Sequence, residues 1–335
     1  MNDTVIVSHS DCPKHDPGAS HPECPQRFAQ VMERLQALKP FVQGLSFVNA
    51  PSAALDQIAL AHDQSYVDRV VALAPKDGVV ALDEDTKMSV GSLSAALGAA
   101  GAACHAVDLV MSGQASNAFC VIRPPGHHAF FDKSMGFCIF NNVAIAAAHA
   151  MKKHNLNRVA IIDFDVHHGN GTQDIVQRRL TSACFVSIQE KKLWPYNDVD
   201  QITNSRILNV GIDRDAPAIH WHEAMSRRVI PSLESYRPEL IIISAGFDAH
   251  LNDPPEGILF NDPPAKQHLV DSDYMLLTQS IRDLAERVCD GRIVSCLEGG
   301  YNTPVLASAV SAHVLGLVNA LHKVEEPPAK LRSVL

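Results

Sequence analysis

The sequence predicts an α/β fold: a doubly wound, mainly parallel sheet of about eight strands with helices on both faces. Three observations predict it. Unbroken apolar runs, such as Val159–Asp163 and Leu240–Ser244, have the pattern of strands buried on both faces, as in a parallel sheet. Longer Ala- and Leu-rich segments with helical patterning alternate with these runs. Polar motifs follow four of the runs directly, where ligands of such sheets gather, beyond the carboxyl ends of the strands.

Taken in order, strands are expected at Val5–Ser8, Ser46–Asn49, Ala118–Ile122, Val159–Asp163, Cys184–Ile188, Ile207–Val210, Leu240–Ser244 and Ile293–Cys296. Helices are expected near Gln26–Leu38, Gly91–Ser112, Asn142–His154, Ala218–Leu233, Ser272–Val288 and Pro304–Leu321. The least regular stretches, 9–25, 75–90, 123–140, 189–205 and 248–272, are read as the loops. No repeat or composition shift divides the chain, so residues 1–335 are read as one domain, although the length alone would allow two.

With 46% hydrophobic and 19% charged residues, the 335-residue chain has the composition of a packed globular protein. Its 37 Asp+Glu against 28 Lys+Arg leave a net charge of -9, which disfavours binding by phosphate neutralisation and favours small cationic ligands or basic peptides. The N-terminus has neither the basic nor the apolar region of a secretory signal. No apolar run reaches the roughly 20 residues needed to span a bilayer. The eight cysteines form no CxxC pair and are read as buried reduced thiols. The expectation is a cytoplasmic protein with no nucleic-acid or membrane partner; homo-oligomer formation stays open.

The strongest motif is Asp163-Phe164-Asp165-Val166-His167-His168-Gly169-Asn170-Gly171. On an extended segment, residues two apart point to one side, so Asp163, Asp165 and His167 can face one point. Carboxylate and imidazole are ligands for a divalent transition metal; a hydrogen-bonded polar strand end is the alternative. In Arg123-Pro124-Pro125-Gly126-His127-His128, a stiffened loop presents two imidazoles able to exchange protons near neutral pH. Surface histidines or metal ligands remain open readings at this point. In the motif Ser244 to His250, Asp248 can complete a three-ligand site with an open position, or it is a helix cap. In Glu298-Gly299-Gly300-Tyr301-Asn302, the glycines permit close backbone approach and the Tyr301 hydroxyl can reach an oxyanion, unless the segment is simply a turn with a packed ring.

These motifs run in order with His21-Pro22-Glu23 through Arg27, His62 through Tyr66, and the run from Gly136 to Ala144. Together, over positions 21 to 302, they resemble the zinc-dependent histone deacetylase-like amidohydrolases of the arginase/deacetylase superfamily, in its bacterial class II-like branch. The resemblance implies one catalytic Zn2+ held by Asp165, His167 and Asp248, polarising an amide carbonyl and acidifying a water. It implies that His128 is the general base and later protonates the amine. His127, oriented by Asp163, is its electrostatic partner, and Tyr301 donates to the tetrahedral oxyanion. Beside the zinc a K+ or Na+ ion is implied, contacted by Asp163 and Ser187. Asn170 stands where some branches carry an aspartate against the second histidine. Gly136 and Phe137 are placed at one wall of an acyl-lysine tunnel, with Trp194 at the other. This ligand set would accept iron(II) as well as zinc.

The substrate implied is an acetylated amine, either acetyl-lysine or an acetylpolyamine. Asp83-Glu84-Asp85 is expected at the site rim, attracting a cationic substrate, and Glu256 is the candidate to select a polyamine ammonium. Two other functions compete. An arginase-like two-manganese ureohydrolase needs more carboxylates, and position 250 is His. A non-catalytic acyl-ligand binder would have no use for His127, His128 and Tyr301 together.

Overall fold

The computed structural model describes residues 3–196, 202–254 and 264–318. In chain order the strands are β1 (Thr4–Ser8), β2 (Leu45–Asn49), β3 (Val79–Ala81), β4 (Lys87–Ser89), β5 (Asn117–Val121), β6 (Val159–Asp163), β7 (Cys184–Glu190), β8 (Ile202–Asn204), β9 (Ile207–Ile212), β10 (Leu240–Ala245) and β11 (Ile293–Leu297). Nine of them form one sheet in the order β2-β1-β5-β11-β10-β6-β7-β9-β8. Eight run parallel, as expected for unbroken apolar runs, and β8 adds an antiparallel edge. The hairpin β3–β4, not foreseen, stands apart from that sheet.

The pleat sends alternate residues of each central strand to opposite cores. Phe119, Ile162, Ile243 and Ile293 join one, with Leu35, Leu277 and Val310 from the helices. Ala118, Ile161, Ile242 and Val294 join the other, with Ala99, Ala103, Ala144 and Ala147. On the first face lie helices Pro25–Leu38, Asp271–Cys289 and Thr303–Val318; on the second lie Ser92–Met111 and Asn142–Lys153. Helix Ser92–Met111 is long and apolar enough to cross a membrane by length and composition, contrary to the sequence expectation, yet most of it is buried against the sheet.

The segment expected as one helix over 218–233 is interrupted. It runs as Ile219–Ala224, a π turn at Met225–Val229, and Ile230–Tyr236. Pro231, in the first turn of the last piece, has no N–H for the helical ladder. Three α-helices went unpredicted, Leu55–Ile58, Gln64–Leu73 and Asn170–Arg178. All eight cysteines are free thiols, and seven are buried.

Four adjacent strands, β5, β11, β10 and β6, end side by side. Cys120 pairs with Cys296, Ala245 with Leu297, and Asp163 with Ser244. The four polar motifs therefore leave the sheet at one place.

Close packing of Ser92–Met111 depends on its small residues. A Cβ on Gly101 would come within 2.5 Å of the Ala53 nitrogen, in the chain segment that crosses the helix. Gly101→Ala is expected to destabilise the protein by about 1–3 kcal/mol, read as a lower urea midpoint. An unshifted midpoint would show that the 51–53 segment yields freely.

Candidate active site

Asp165, His167 and Asp248 converge, with one donor atom from each lying within 4.8 Å of the others. His167 Nδ1 is 3.1 Å from Asp165 Oδ1 and 3.1 Å from Asp248 Oδ2. Backbone N–H groups hold the carboxylates in place. Gly299 donates to Asp165 Oδ2 at 2.9 Å, and Val166 donates to Asp248 Oδ1 at 3.0 Å. A Cβ on Gly246 would strike the Asp165 carboxylate, and one on Gly299 would strike that of Asp248. Two motif glycines thus form a cradle for the acidic pair. Burial, then the negative charge of Asp165, pushes the Asp248 carboxyl above its ordinary range. Two buried carboxylates facing one imidazole make an O, N, O donor set that fits zinc.

Asp163 is not part of this trio. The strand ends at Asp163, so the two-residue alternation does not carry its side chain to the point where Asp165 and His167 meet. Its Oδ2 lies 3.1 Å from His127 Nδ1, and its Oδ1 accepts the Asp165 N–H. Ser187 sits beside it across the β6–β7 pairing, its hydroxyl donating to Gln189 Oε1 at 2.5 Å.

The two adjacent histidines have opposite electrostatics. Their ring centroids are 3.9 Å apart, and both rings are buried. Burial opposes charge on His127, but Asp165 and Asp163 outweigh it and lift its pKa to about 10. Burial, then the charges of His127 and His167, holds His128 well below the ordinary histidine value. His128 Nδ1 is 2.8 Å from Asn170 Oδ1. That oxygen also accepts the Gly171 N–H, which identifies it as the carbonyl end. His128 must therefore donate from Nδ1, leaving Nε2 as its basic nitrogen.

A cavity of about 370 Å³ opens onto His128, His167 and Asp248, with Gly136, Phe137, Trp194 and Tyr301 in its wall. The Trp194 ring stands edge-on to His128 at 4.7 Å, and Phe137 edge-on to Tyr301 at 5.9 Å. The Arg27 guanidinium lies 5.1 Å over the Tyr301 ring. Burial keeps the Tyr301 hydroxyl protonated, well above its ordinary pKa. Glu256 lies outside the described residues.

The acidic run at 83–85 reaches the cavity through Glu84 and Asp85, and it has a structural use besides. Asp83 accepts the N–H groups of Asp85 and Thr86 and the Ser134 hydroxyl. Asp85 accepts the Gly136 N–H at 3.1 Å, and Thr86 Oγ1 accepts the Phe137 N–H at 3.1 Å. Phe137 has φ 67°, a left-handed conformation costly for a bulky residue. The run thus clamps the Phe137 wall, and Glu84 alone of the three is exposed at the rim.

Sequence reasoning missed the charged frame behind the site. The fully buried Glu23 carboxylate binds Arg27 Nη1 at 2.9 Å, Arg123 through two nitrogens, and His15 Nε2 at 3.2 Å. Arg27 also donates to the carbonyls of Glu298 and Gly300. Glu298 Oε2 accepts the Gly126 and His127 N–H groups at 2.7 and 3.2 Å. Asp253 Oδ2 accepts the N–H groups of Tyr301 and Asn302, each at 2.6 Å. The only sequence signal was that Glu23, Arg27 and Arg123 lie in or beside recognisable motifs.

Residues 21–317 match the model of the histone deacetylase domain family. A histone deacetylase-like amidohydrolase of Pseudomonas aeruginosa is 34% identical, over 94% of this chain and 84% of its own length. The polyamine deacetylase HDAC10 of Homo sapiens is 31% identical over 94% of this chain, which spans 48% of that longer protein. A crystal structure of the HDA15 HD domain superposes with a TM-score of 0.83 at 27% identity, covering 100% of this chain and 93% of the other. With the sheet, the donor trio and the histidine pair in place, these matches show that the chain belongs to the histone deacetylase family and is a metal-dependent deacetylase.

Proposed function

We propose that the chain hydrolyses small acetylated amines carrying positive charge, such as acetylpolyamines, with acetyl-lysine as the second reading. One observation carries the chemistry: His128, Tyr301 and the donors His167 and Asp248 line a single cavity, with the buried Asp165 completing the donor trio. Asp165, His167 and Asp248 would hold the zinc ion, which supplies Lewis acidity toward the acyl oxygen and toward water.

The remaining steps belong to protein groups. His128, neutral and donating to Asn170 through Nδ1, takes the water proton on Nε2 and returns it to the departing amine. His127, held as an imidazolium by Asp165 and Asp163, adds to burial in keeping His128 from protonating beforehand. Tyr301, protonated and steadied by Arg27 and Asp253, donates to the oxyanion. Phe137 and Trp194 flank the methylene stem of the substrate. Products are acetate and the free amine. Asp163 and Ser187, adjacent across the β6–β7 pairing, would contribute to a K+ or Na+ site that steadies the β6 tip.

The cationic preference rests on charge. Glu84 and Asp85 line the cavity and its mouth, with Lys87 beside them. The chain as a whole carries -9. Such a field raises the local concentration of cations and weakens with salt. A panel of acetylated polyamines, acetyl-lysine peptides and neutral acetylated amines on zinc-loaded enzyme should give the highest kcat/KM for the polyamines, falling as salt rises. Preference for the neutral amides, or indifference to salt, would remove the charge argument.

Chelation is expected to abolish turnover, and one equivalent of zinc per chain to restore it; turnover that survives verified metal removal contradicts the mechanism. Asn170→Asp replaces a neutral acceptor 2.8 Å from His128 Nδ1 with an anion. The anion favours the imidazolium and raises the pKa of His128, and a base must be neutral to act. The acidic limb of the kcat/KM–pH profile should therefore move up by about one unit or more. A limb that stays in place would separate His128 from the rate-governing proton transfer.

A further inference from the structure

We propose a second divalent-metal site, formed by Asp108, His149 and His154, that takes an ion of the zinc kind where helices Ser92–Met111 and Asn142–Lys153 end. One donor atom from each of the three residues lies within 4.8 Å of the others. The two Nε2 atoms stand 3.0 and 2.8 Å from the same oxygen, Asp108 Oδ1. The deacetylase trio has the same signature, with His167 Nδ1 at 3.1 Å from each carboxylate. Zinc bonds of about 2.0–2.2 Å at tetrahedral angles place donors roughly 3.4 Å apart, so the two Asp108–imidazole contacts need to open by about half an ångström.

The surroundings already favour a cation. Asp108 lies in the last turn of helix Ser92–Met111, His149 in the last turns of Asn142–Lys153, and His154 at the C-cap of that helix. Both helices therefore direct their negative ends toward the cluster. A positive group is already drawn there: Lys153 Nζ binds Asp108 Oδ2 at 2.8 Å. Its side chain is 55% exposed and can swing into water, which frees that oxygen. The imidazoles are better ligands than the ammonium is a partner, because zinc takes neutral nitrogen and carboxylate oxygen together.

Binding changes no net charge on the rings. Each imidazole proton now shared from Nε2 with Asp108 moves to Nδ1, and Nε2 takes the metal. Gln57 lies 3.5 Å from His149 Nδ1 and can turn its amide to accept that proton, giving up its bond to the Ala54 N–H. The remaining coordination positions face solvent and take water. The ion would join the two helices that cover one face of the sheet.

The test loads the catalytic site with one equivalent of zinc, then titrates Zn2+ by calorimetry and counts retained metal. The wild type should take a second, weaker equivalent, with a rise in melting temperature. The double variant Asp108→Asn/His154→Ala should take only one, with turnover at one equivalent unchanged. Lys153→Met removes a competing charge and should tighten the second site roughly threefold or more. If the double variant does not fold, the wild type and Lys153→Met decide. A wild type that saturates at one equivalent, a folded double variant that keeps two, or an unchanged affinity in Lys153→Met overturns the site. None of these outcomes touches the deacetylase reading, which stands on the other trio.

Discussion

Two buried carboxylates, Asp165 and Asp248, face one imidazole at the tips of neighbouring strands, and much of the molecule is arranged so that they can stay there. Taking a carboxylate out of water costs several kcal/mol, and two close together repel. Backbone N–H groups from Val166 and Gly299 offset part of that cost. Gly246 and Gly299 let the chain pass close enough to donate. The parallel order β11-β10-β6 brings the tips into line. A divalent cation is the natural complement of what remains.

The same constraint accounts for the charges further back. Arg123 follows β5 and Glu298 follows β11, so their buried charges sit against the loops that present His127 and Tyr301. Glu23 accepts from Arg27 and Arg123 at once, and backbone carbonyls of Glu298, Gly300, Cys12 and His15 take further N–H groups of the two guanidinium groups. Loss of one partner in such a group leaves a buried charge uncompensated, which costs about 3–5 kcal/mol. The frame therefore fixes the site's geometry more firmly than it adds stability. The asymmetry of the histidines has a different source: Asp165 and Asp163 hold His127 positive, and burial together with that charge depresses the neighbour that must remain neutral.

Legibility in the sequence followed locality. The central strands and long helices were readable because each carries its own periodic signal, and the donor trio because its motifs hang directly on those strands. What failed was longer in range or weaker in pattern. The Glu23–Arg123 pair spans 100 positions, and nothing in either segment announces the other. Helix Asn170–Arg178 begins inside a glycine-bearing motif and, at nine residues, is too short for its periodicity to stand out from the loop before it. Asp163 was grouped with Asp165 and His167 by strand alternation, but the strand stops at Asp163 and the side chain turns to His127.

The acidic run at 83–85 shows why charge alone is a poor guide to a site. Read as a string, it is a negative patch; in the fold, two of its members accept backbone N–H groups and hold Phe137 in a left-handed conformation. Burial, then the hydrogen bond with Asp83 and that neighbour's charge, lifts Asp85 to about 6, so the clamp is anionic at neutral pH with little margin. A carboxylate accepts a backbone N–H better when charged. Below that value the hold on Gly136 weakens, and with it the wall against which the substrate stem would lie. The position of an aromatic ring in the cavity is thus tied to the ionisation of a neighbouring carboxyl.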